Sequence, residues 1–495
     1  MQNVGAAWMM ATLAPSALLV ALVQTATNLP VFLLGIPAGA IADIVDRRKL
    51  LIVTQGWMLA AALALGILTL SGATGPWTLL CLTFALGLGS TMNGPAWQAI
   101  MPELVPKKEL PAAIALNSMG FNLARSIGPA LGGVVVFAVG AGAAFILNAV
   151  SFVGVMLVLY LWRRKPEHSP TSPESVGAAI YAGMRYVRFA PPMHAVLLRS
   201  GTFVISASAL WSILPLVAKD ELHSQSSGFG VLLGCLGVGS ILGALTIGRL
   251  RQLISFNAIA TSSVAVFGLM NIAMAYLGSF GTVALALMIA GIAWMAVNST
   301  LNTAAQTSLP AWVRARGLGV YLLVFQGSMA VGSVIWGEIA TRFGLRTTLL
   351  VAGIALLVAA VATSRLRLTA PRDADTTHSN HWPEPPLLVE RHPEHGPVLV
   401  TVEYFIDPTR GADFTAAMQG VRRFRRRDGA IRWSLFEDAS TPGRYLETFV
   451  VESWAEHLRQ HSRATVADRE VETNAWAFLL SEGPPKVTHW IAARK

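Results

Sequence analysis

Few side chains in the first three-quarters of this chain could do chemistry, so each one that stands among apolar neighbours needs a reason. The densest group is Gly39-Ala-Ile-Ala-Asp43-Ile-Val-Asp46-Arg47-Arg48-Lys49. An acid followed four and five residues later by two guanidinium groups, at the edge of an apolar run, suits a helix end that pairs charges across a seam. Asp43 can pair with Arg47 or Arg48, and Gly39 leaves room for a close neighbour. Arg125 lies deep in another apolar run, where a charge costs about 2.5–3.5 kcal/mol on insertion scales. It is expected to face a cavity, where it binds an anionic group or organises Asn117 and Asn122. Glu338 is the other acid inside a run and a candidate proton site. Gln24, Asn28, Asn298, Asn302 and Gln326 are polar residues expected to line the same cavity. No Gly-x4-Gly-Lys-Ser/Thr phosphate loop occurs, no metal-ligand set is evident, and no catalytic residue or cofactor is predicted.

The elements that must hold these residues follow from composition. Of 495 residues, 54% are hydrophobic and 13% charged, against about 25% in soluble domains. The average hides a division. Residues 1–370 carry 21 Lys/Arg and 9 Asp/Glu, and residues 371–495 carry 16 and 18. The first part is written for lipid and the second for water. This balance excludes a disordered chain, a nucleic-acid-binding protein and a disulfide-stapled secreted fold. Cys81 and Cys235 sit in apolar runs and read as small hydrophobes.

A bilayer core needs about 20 apolar residues per helix. Such runs fall near 18–41, 50–70, 77–98, 113–138, 143–162, 195–217, 229–248, 254–277, 282–305, 317–339 and 347–364. Alternate connections, beginning with 47–49, hold 16 Lys/Arg and the others only Lys219, Arg342 and Arg346. That bias puts the first set in the cytoplasm. A shift of 208 residues brings Gln98 onto Gln306, Pro102 onto Pro310, Val105 onto Val313 and Gly35 onto Gly243. Two six-helix halves in parallel repeat is a transporter architecture. On that shift, residues 1–9 match only the outer half of a first helix. The expectation is that about 15–25 further residues belong before it and that transport needs them.

The predicted fold is therefore an all-α membrane bundle of 12 helices with the first truncated, followed by a smaller α+β domain. Its parts are a half-bundle at 1–162, a central loop at 163–194, a second half-bundle at 195–368, a linker at 369–396 and a soluble domain at 397–495. Within the central loop, Val176, Ile180, Met184 and Val187 recur at helical spacing beside Arg185 and Arg188. This reads as a short basic amphipathic helix lying on the cytoplasmic surface, with membrane lipid as a partner.

The run Gly39-x3-Asp43-x3-Arg47-Arg48 resembles the loop signature of the major facilitator superfamily, with Asp46 where a second glycine is usual. The resemblance implies a gating latch made by Gly39, Asp43, Arg47 and Arg48. A second run, Gly128-Pro129-Ala-Leu-Gly132-Gly133, resembles the superfamily's antiporter motif, with Ala124 at one of its upstream glycine positions. Physically, Pro129 frees a backbone carbonyl and the glycines admit a close neighbour.

In the soluble part, residues 398–406 alternate as a strand, and Phe414, Met418, Val421 and Phe424 follow at helical spacing. Strands near 431–437 and 444–451, a helix over 453–480 and a strand near 487–492 complete a βαββαβ order, which is ferredoxin-like. The stretch Glu452-Ser-Trp454-Ala-Glu-His457-Leu-Arg-Gln-His461 resembles a signature of the monooxygenase-like dimeric α/β barrels, which implies a homodimer through this domain. His457 and His461 share a helix face and are read as solvated. Arg422, Arg423, Arg425, Arg426 and Arg427 form a basic run, read as a solvated helix end or a contact with anionic lipid.

The full arrangement resembles the transmembrane secretion effectors, exporters of siderophores and drugs. The resemblance implies a proton-coupled antiporter of small organic molecules, working by alternating access in the inner (cytoplasmic) membrane with its tail in the cytoplasm. The competing reading is a membrane-tethered monooxygenase-like enzyme or sensor, anchored by a degenerate transporter half.

Overall fold

A computed structural model describes all residues except 15, 106–108, 163–175, 311, 369–378, 380–394, 481–482 and 494–495. The described residues form two compact bodies, the first from 1–172, 197–302 and 321–367 and the second from 173–196, 303–320 and 368–495.

The first body is helical. Its elements are α1 (Gln2–Leu13), α2 (Ala17–Ile44), α3 (Arg47–Leu70), α4 (Pro76–Leu104), α5 (Leu110–Leu161), α7 (Pro191–Leu216), α8 (Ser226–Leu253), α9 (Phe256–Met274), α10 (Phe280–Thr307) and α11 (Arg314–Thr363). Local chemistry sets the starts. Ser16 and Ser255 accept from the Leu19 and Ala258 amides, Asp46 accepts from Lys49, and α4 opens on Pro76. Eight stretches among the described residues are long and apolar enough to cross a membrane.

Two helices are each a joined pair. α5 breaks at Gly140 (φ 85°, ψ 167°) and α11 at Gly344 (φ 82°, ψ 165°). Only glycine adopts that backbone region readily. The two breaks share one conformation and lie 204 residues apart, close to the offset read from the motifs. With each pair counted as two, the described helices of this body number twelve, matching the eleven apolar runs and the short first helix expected from the repeat.

Many leucines, valines and phenylalanines of these helices point outward, among them Leu131, Val134, Phe137, Val153 and Leu157. In water such a surface would be unfavourable, but against lipid tails it costs nothing. Cys81 is exposed on this surface, and Cys235 is half-buried.

The second body contains α6 (Val176–Phe189), residues around the α10–α11 connection, and the tail. The tail runs β1 (Val398–Phe405), α12 (Gly411–Asp428), β2 (Arg432–Glu437), β3 (Arg444–Val451), α13 (Trp454–Arg463), α14 (Val466–Trp476) and β4 (Lys486–Ile491). The antiparallel sheet has the order β2-β3-β1-β4. One face of β1 (Val398, Val400, Val402, Tyr404) packs with Phe449 and Val451 of β3 against Phe414, Met418, Val421 and Phe424 of α12. The single helix expected over 453–480 is two. Thr465 and Asp468 form a capping box that ends α13 and starts α14.

Three expectations change here. The basic run is not uniformly solvated. Arg425 is buried, bonded to Glu447 (3.2 Å) and Glu472 (2.7 Å), and Arg427 is bonded to Asp428 (2.8 Å) and Asp468 (2.6 Å). Burial alone would depress the Arg425 guanidinium, but the two glutamates outweigh it and hold it firmly protonated. His457 is buried rather than solvated, at 3% exposure. The amphipathic helix α6 presents Ala182 and Tyr186 to protein, with α12 packed along it. Most of the linker and the side chains of Val176 and Ile180 lie outside the described residues.

Candidate functional site

The sequence-predicted residues fall into separate groups. In the first, Arg48 sits at the start of α3 and donates to the carbonyls of Leu159 and Tyr160, both at 2.8 Å, so it caps the far end of α5. Asp46 caps α3. Among the described residues, a Cβ placed on Gly39 would meet nothing within 4 Å. The Asp43 side chain lies outside what the structure describes, and Arg47 has its own partners.

The second half repeats the cap from an unexpected position. Arg199, in α7 and only 4% exposed, donates to Thr363 O (3.0 Å) and Ser364 O (3.1 Å). These carbonyls lie 204 residues after Leu159 and Tyr160. The sequence reading passed over Arg199, although a lone charge in an apolar run must find acceptors. Its role as a helix cap was not legible.

The second motif forms a seam. Gly133 and Gly230 bring α5 and α8 into backbone contact, so that a Cβ on Gly133 would lie 2.6 Å from Gly230 Cα and 2.8 Å from Ser226 O. Gly234 faces Ala130 one turn on. Gly132 meets Met1, while a Cβ on Gly128 would meet nothing within 4 Å among the described residues. The partner stripe on α8, Ser226-x3-Gly230-x3-Gly234, is a small-residue pattern that the sequence reading missed.

A second contact joins α2 and α11. The Leu18 amide donates to Thr341 Oγ1 (2.9 Å) and Thr25 Oγ1 donates to Ala330 O (3.0 Å). Gly337 faces Leu18 and Ala21, and Gly327 faces Phe32. Asn28 and Gln326 therefore sit at the same level of two touching helices. Asn28 spends its amide on Gln24 O (2.6 Å), and Asn298 on Trp294 O (2.8 Å). Asn302 and Asn117 are exposed, and Trp97 Nε1 donates to Asn117 at 3.4 Å. The side chains of Asn122 and Arg125 lie outside the described residues.

Two features went unnoticed in the sequence. Asn93 of α4 accepts from Thr54 and Gln55 of α3. Trp294 of α10 stands at the centre of an aromatic group with Phe203, Trp211, Phe267 and Phe325. Glu338 is paired with Arg342 one turn on, and both are substantially exposed.

In the tail, the His457 ring lies 4.9 Å from that of His461 and 4.7 Å from that of His489. Burial, then the neighbouring His461 and His489, hold its imidazole down at about 3. Among the described residues no group of His, Cys, Asp and Glu could hold a metal ion.

Paired half-bundles that share a kink and meet along two helix seams are the framework of a membrane transporter. The sequence profile of the transmembrane secretion effectors matches residues 1–495. The chain belongs to this family. A staphyloferrin A transporter of Staphylococcus aureus is 23% identical, over 72% of this chain and 89% of its own. The multidrug efflux pump Tap of Mycolicibacterium fortuitum is 24% identical, over 71% and 88%. The enterobactin exporter EntS of Shigella boydii is 26% identical, over 72% and 86%. Among solved structures, an inward-facing, unoccupied bacterial homologue of the lysosomal transporter Spinster aligns with TM-score 0.60 at 16% identity, over 74% of this chain and 94% of its own. A peptide transporter aligns with TM-score 0.61 at 14% identity, over 73% and 90%. These two likenesses concern the fold alone. As a member of its family, this chain is a major facilitator transporter in a cell membrane and not an enzyme.

Proposed function

We propose that this secretion effector exports small drug- or siderophore-like organic molecules across the cytoplasmic membrane by alternating access, in exchange for protons. The observation that carries this reading is the α2–α11 seam. With the Lys/Arg-rich connections in the cytoplasm, α2 starts on the outer side, and its contacts at Leu18, Ala21 and Thr25 lie toward that side, while the contact of Phe32 with Gly327 lies just past the middle of the helix. A bundle closed outside and charged inside is poised to load from the cytoplasm. The relatives' siderophore and drug substrates support the substrate class, and the resemblance to antiporters supports the proton coupling. The Glu338–Arg342 pair favours a surface role for Glu338 and leaves the proton site elsewhere in the cavity.

The same orientation supports a cytoplasmic position for the tail. Its sheet order β2-β3-β1-β4 with helices packed on one face supports a ferredoxin-like plan. The other face carries Leu399, Phe405, Phe436, Leu446, Val450 and Trp490, which supports pairing with a second copy.

Purified protein in liposomes, with a pH gradient imposed, should move a fluorescent drug against its own gradient and release protons in step. The Asp43→Asn variant should insert normally but lose most of this flux, because the latch loses its anion. Flux that ignores the pH gradient would refute proton exchange. Unchanged flux in Asp43→Asn would refute the latch.

A further inference from the structure

The second body contains an interface whose construction suggests reversibility. From one side come Tyr186 of α6, 3% exposed, and Trp312 of the α10–α11 connection, with their rings 5.7 Å apart edge to face. The Tyr186 hydroxyl reaches Ser308 O at 3.4 Å. From the tail come two guanidinium groups. Arg427 lies 5.0 Å from the Tyr186 ring and Arg463 lies 4.3 Å from the Trp312 ring. Arg185 adds an ion pair to Glu456 at 2.9 Å. Gly183 lets α6 approach the first turn of α11, since a Cβ there would stand 2.7 Å from Arg316 Cβ.

The charges on the tail side are neutralised within the tail. Arg427 is held by Asp428 and Asp468, and Arg463 by Glu456 (2.7 Å) and the Asp428 carbonyl (3.1 Å). Separation would therefore strand no buried, unpaired charge, the outcome that makes most buried ion pairs costly to break. It would give up two cation–π contacts, one ion pair and some apolar burial. This is the signature of a module assembled before it docks. Its grip is on a mechanically important point, because α11 runs from Arg314 to its break at Gly344 and carries the residues that contact α2.

We propose that the tail is a reversible clasp: docked on Tyr186 and Trp312, it restrains α11 in the outward-closed arrangement and so slows the transport cycle. The restraint rests on the export reading, whereas the docking does not. Loss of one cation–π contact should shift the docked population about fivefold.

The full chain in liposomes supplies two separate readouts, hydrogen exchange over residues 181–190 and 308–316, and drug export. Tyr186→Ala and Trp312→Ala should exchange faster in both segments and export about fivefold faster. Tyr186→Phe and Trp312→Phe keep the ring and should match the wild type in both. Should the alanine variants misfold, Arg185→Glu places a like charge against Glu456 on a helix surface and should give the same pair of changes. Unchanged exchange in all these variants would overturn the docking. Faster exchange without faster export would overturn the restraint. A wild-type chain that exports nothing while exchange still responds to Tyr186→Ala would overturn the export reading, and the restraint with it, but not the docking.

Discussion

At the residue scale, His457 shows how a buried side chain can be read as solvated. In the sequence, two histidines four apart on a helix beside arginines suggest a wet surface. In the fold, His457 packs on Trp454 and between His461 and His489, and its protonated form is excluded by burial and then by those two neighbours. Its folded value near 3 lies below the unfolded value of about 6.5. A depressed folded value means that neutral His457 contributes stability above about pH 6.5. That contribution is lost as pH falls from there toward 3, by at most about 1.4 kcal/mol per pH unit. His489, also depressed by burial, adds in the same direction. The protection of α13 and β4 amides in the full chain, taken relative to the intrinsic exchange rate at each pH, should therefore fall between pH 7 and pH 5. His457→Leu should flatten that dependence, and an unchanged slope would show that the ring titrates normally.

At the element scale, the α5–α8 seam was half legible. Gly128-Pro129-x2-Gly132-Gly133 announces close packing, because proline and glycine in a lipid-facing helix cost stability unless a neighbour uses the space. The sequence could not say which glycine meets which helix. The structure singles out Gly133 against Gly230, while Gly128 meets nothing within 4 Å among the described residues. The neighbours are backbone atoms, which cannot rotate away. Gly133→Leu should therefore cost about 1–3 kcal/mol by overpacking and lower the thermal midpoint of the detergent-purified protein. Gly230→Leu should do the same, and the double variant should cost less than the sum, since one contact is broken twice. Gly128→Leu is the control and should leave the midpoint unchanged. Helix positions were readable for a related reason. Lipid demands uninterrupted apolar runs of fixed length, so spans announce themselves, whereas partner choice depends on shape that no run of letters records. The central helix α6 illustrates the limit. Its apolar spacing fits a lipid surface as well as a protein one, and α12 packs along it while Tyr181 and Met184 stay exposed.

At the scale of the whole molecule, the open question is what covers the free face of the tail sheet. Strand alternation was legible, and it places Leu399 beside Val450 and Trp490, and Phe436 beside Leu446, on the face away from α12 and α14. Phe405, Phe436 and Trp490 remain 45%, 55% and 58% exposed. Unlike the outward leucines of the helical body, these residues belong to a segment whose charge content suits water, so lipid does not account for them. Thr401, Thr448 and Thr488 line the middle of the same face and Glu403, Arg432, Arg444 and Lys486 its ends, and a face that mixes charge and threonine with apolar side chains suits a second sheet more than a membrane core. Two copies pairing sheet to sheet would bury this surface and leave α12 and α13, which carry the clasp, on the outside. The purified full chain should therefore run as a dimer in light scattering corrected for detergent. Phe436→Glu with Trp490→Glu should convert it to a monomer while hydrogen exchange of α12 stays as in the wild type. A wild-type monomer, or a dimer that survives both charges, would place the contact elsewhere on the molecule.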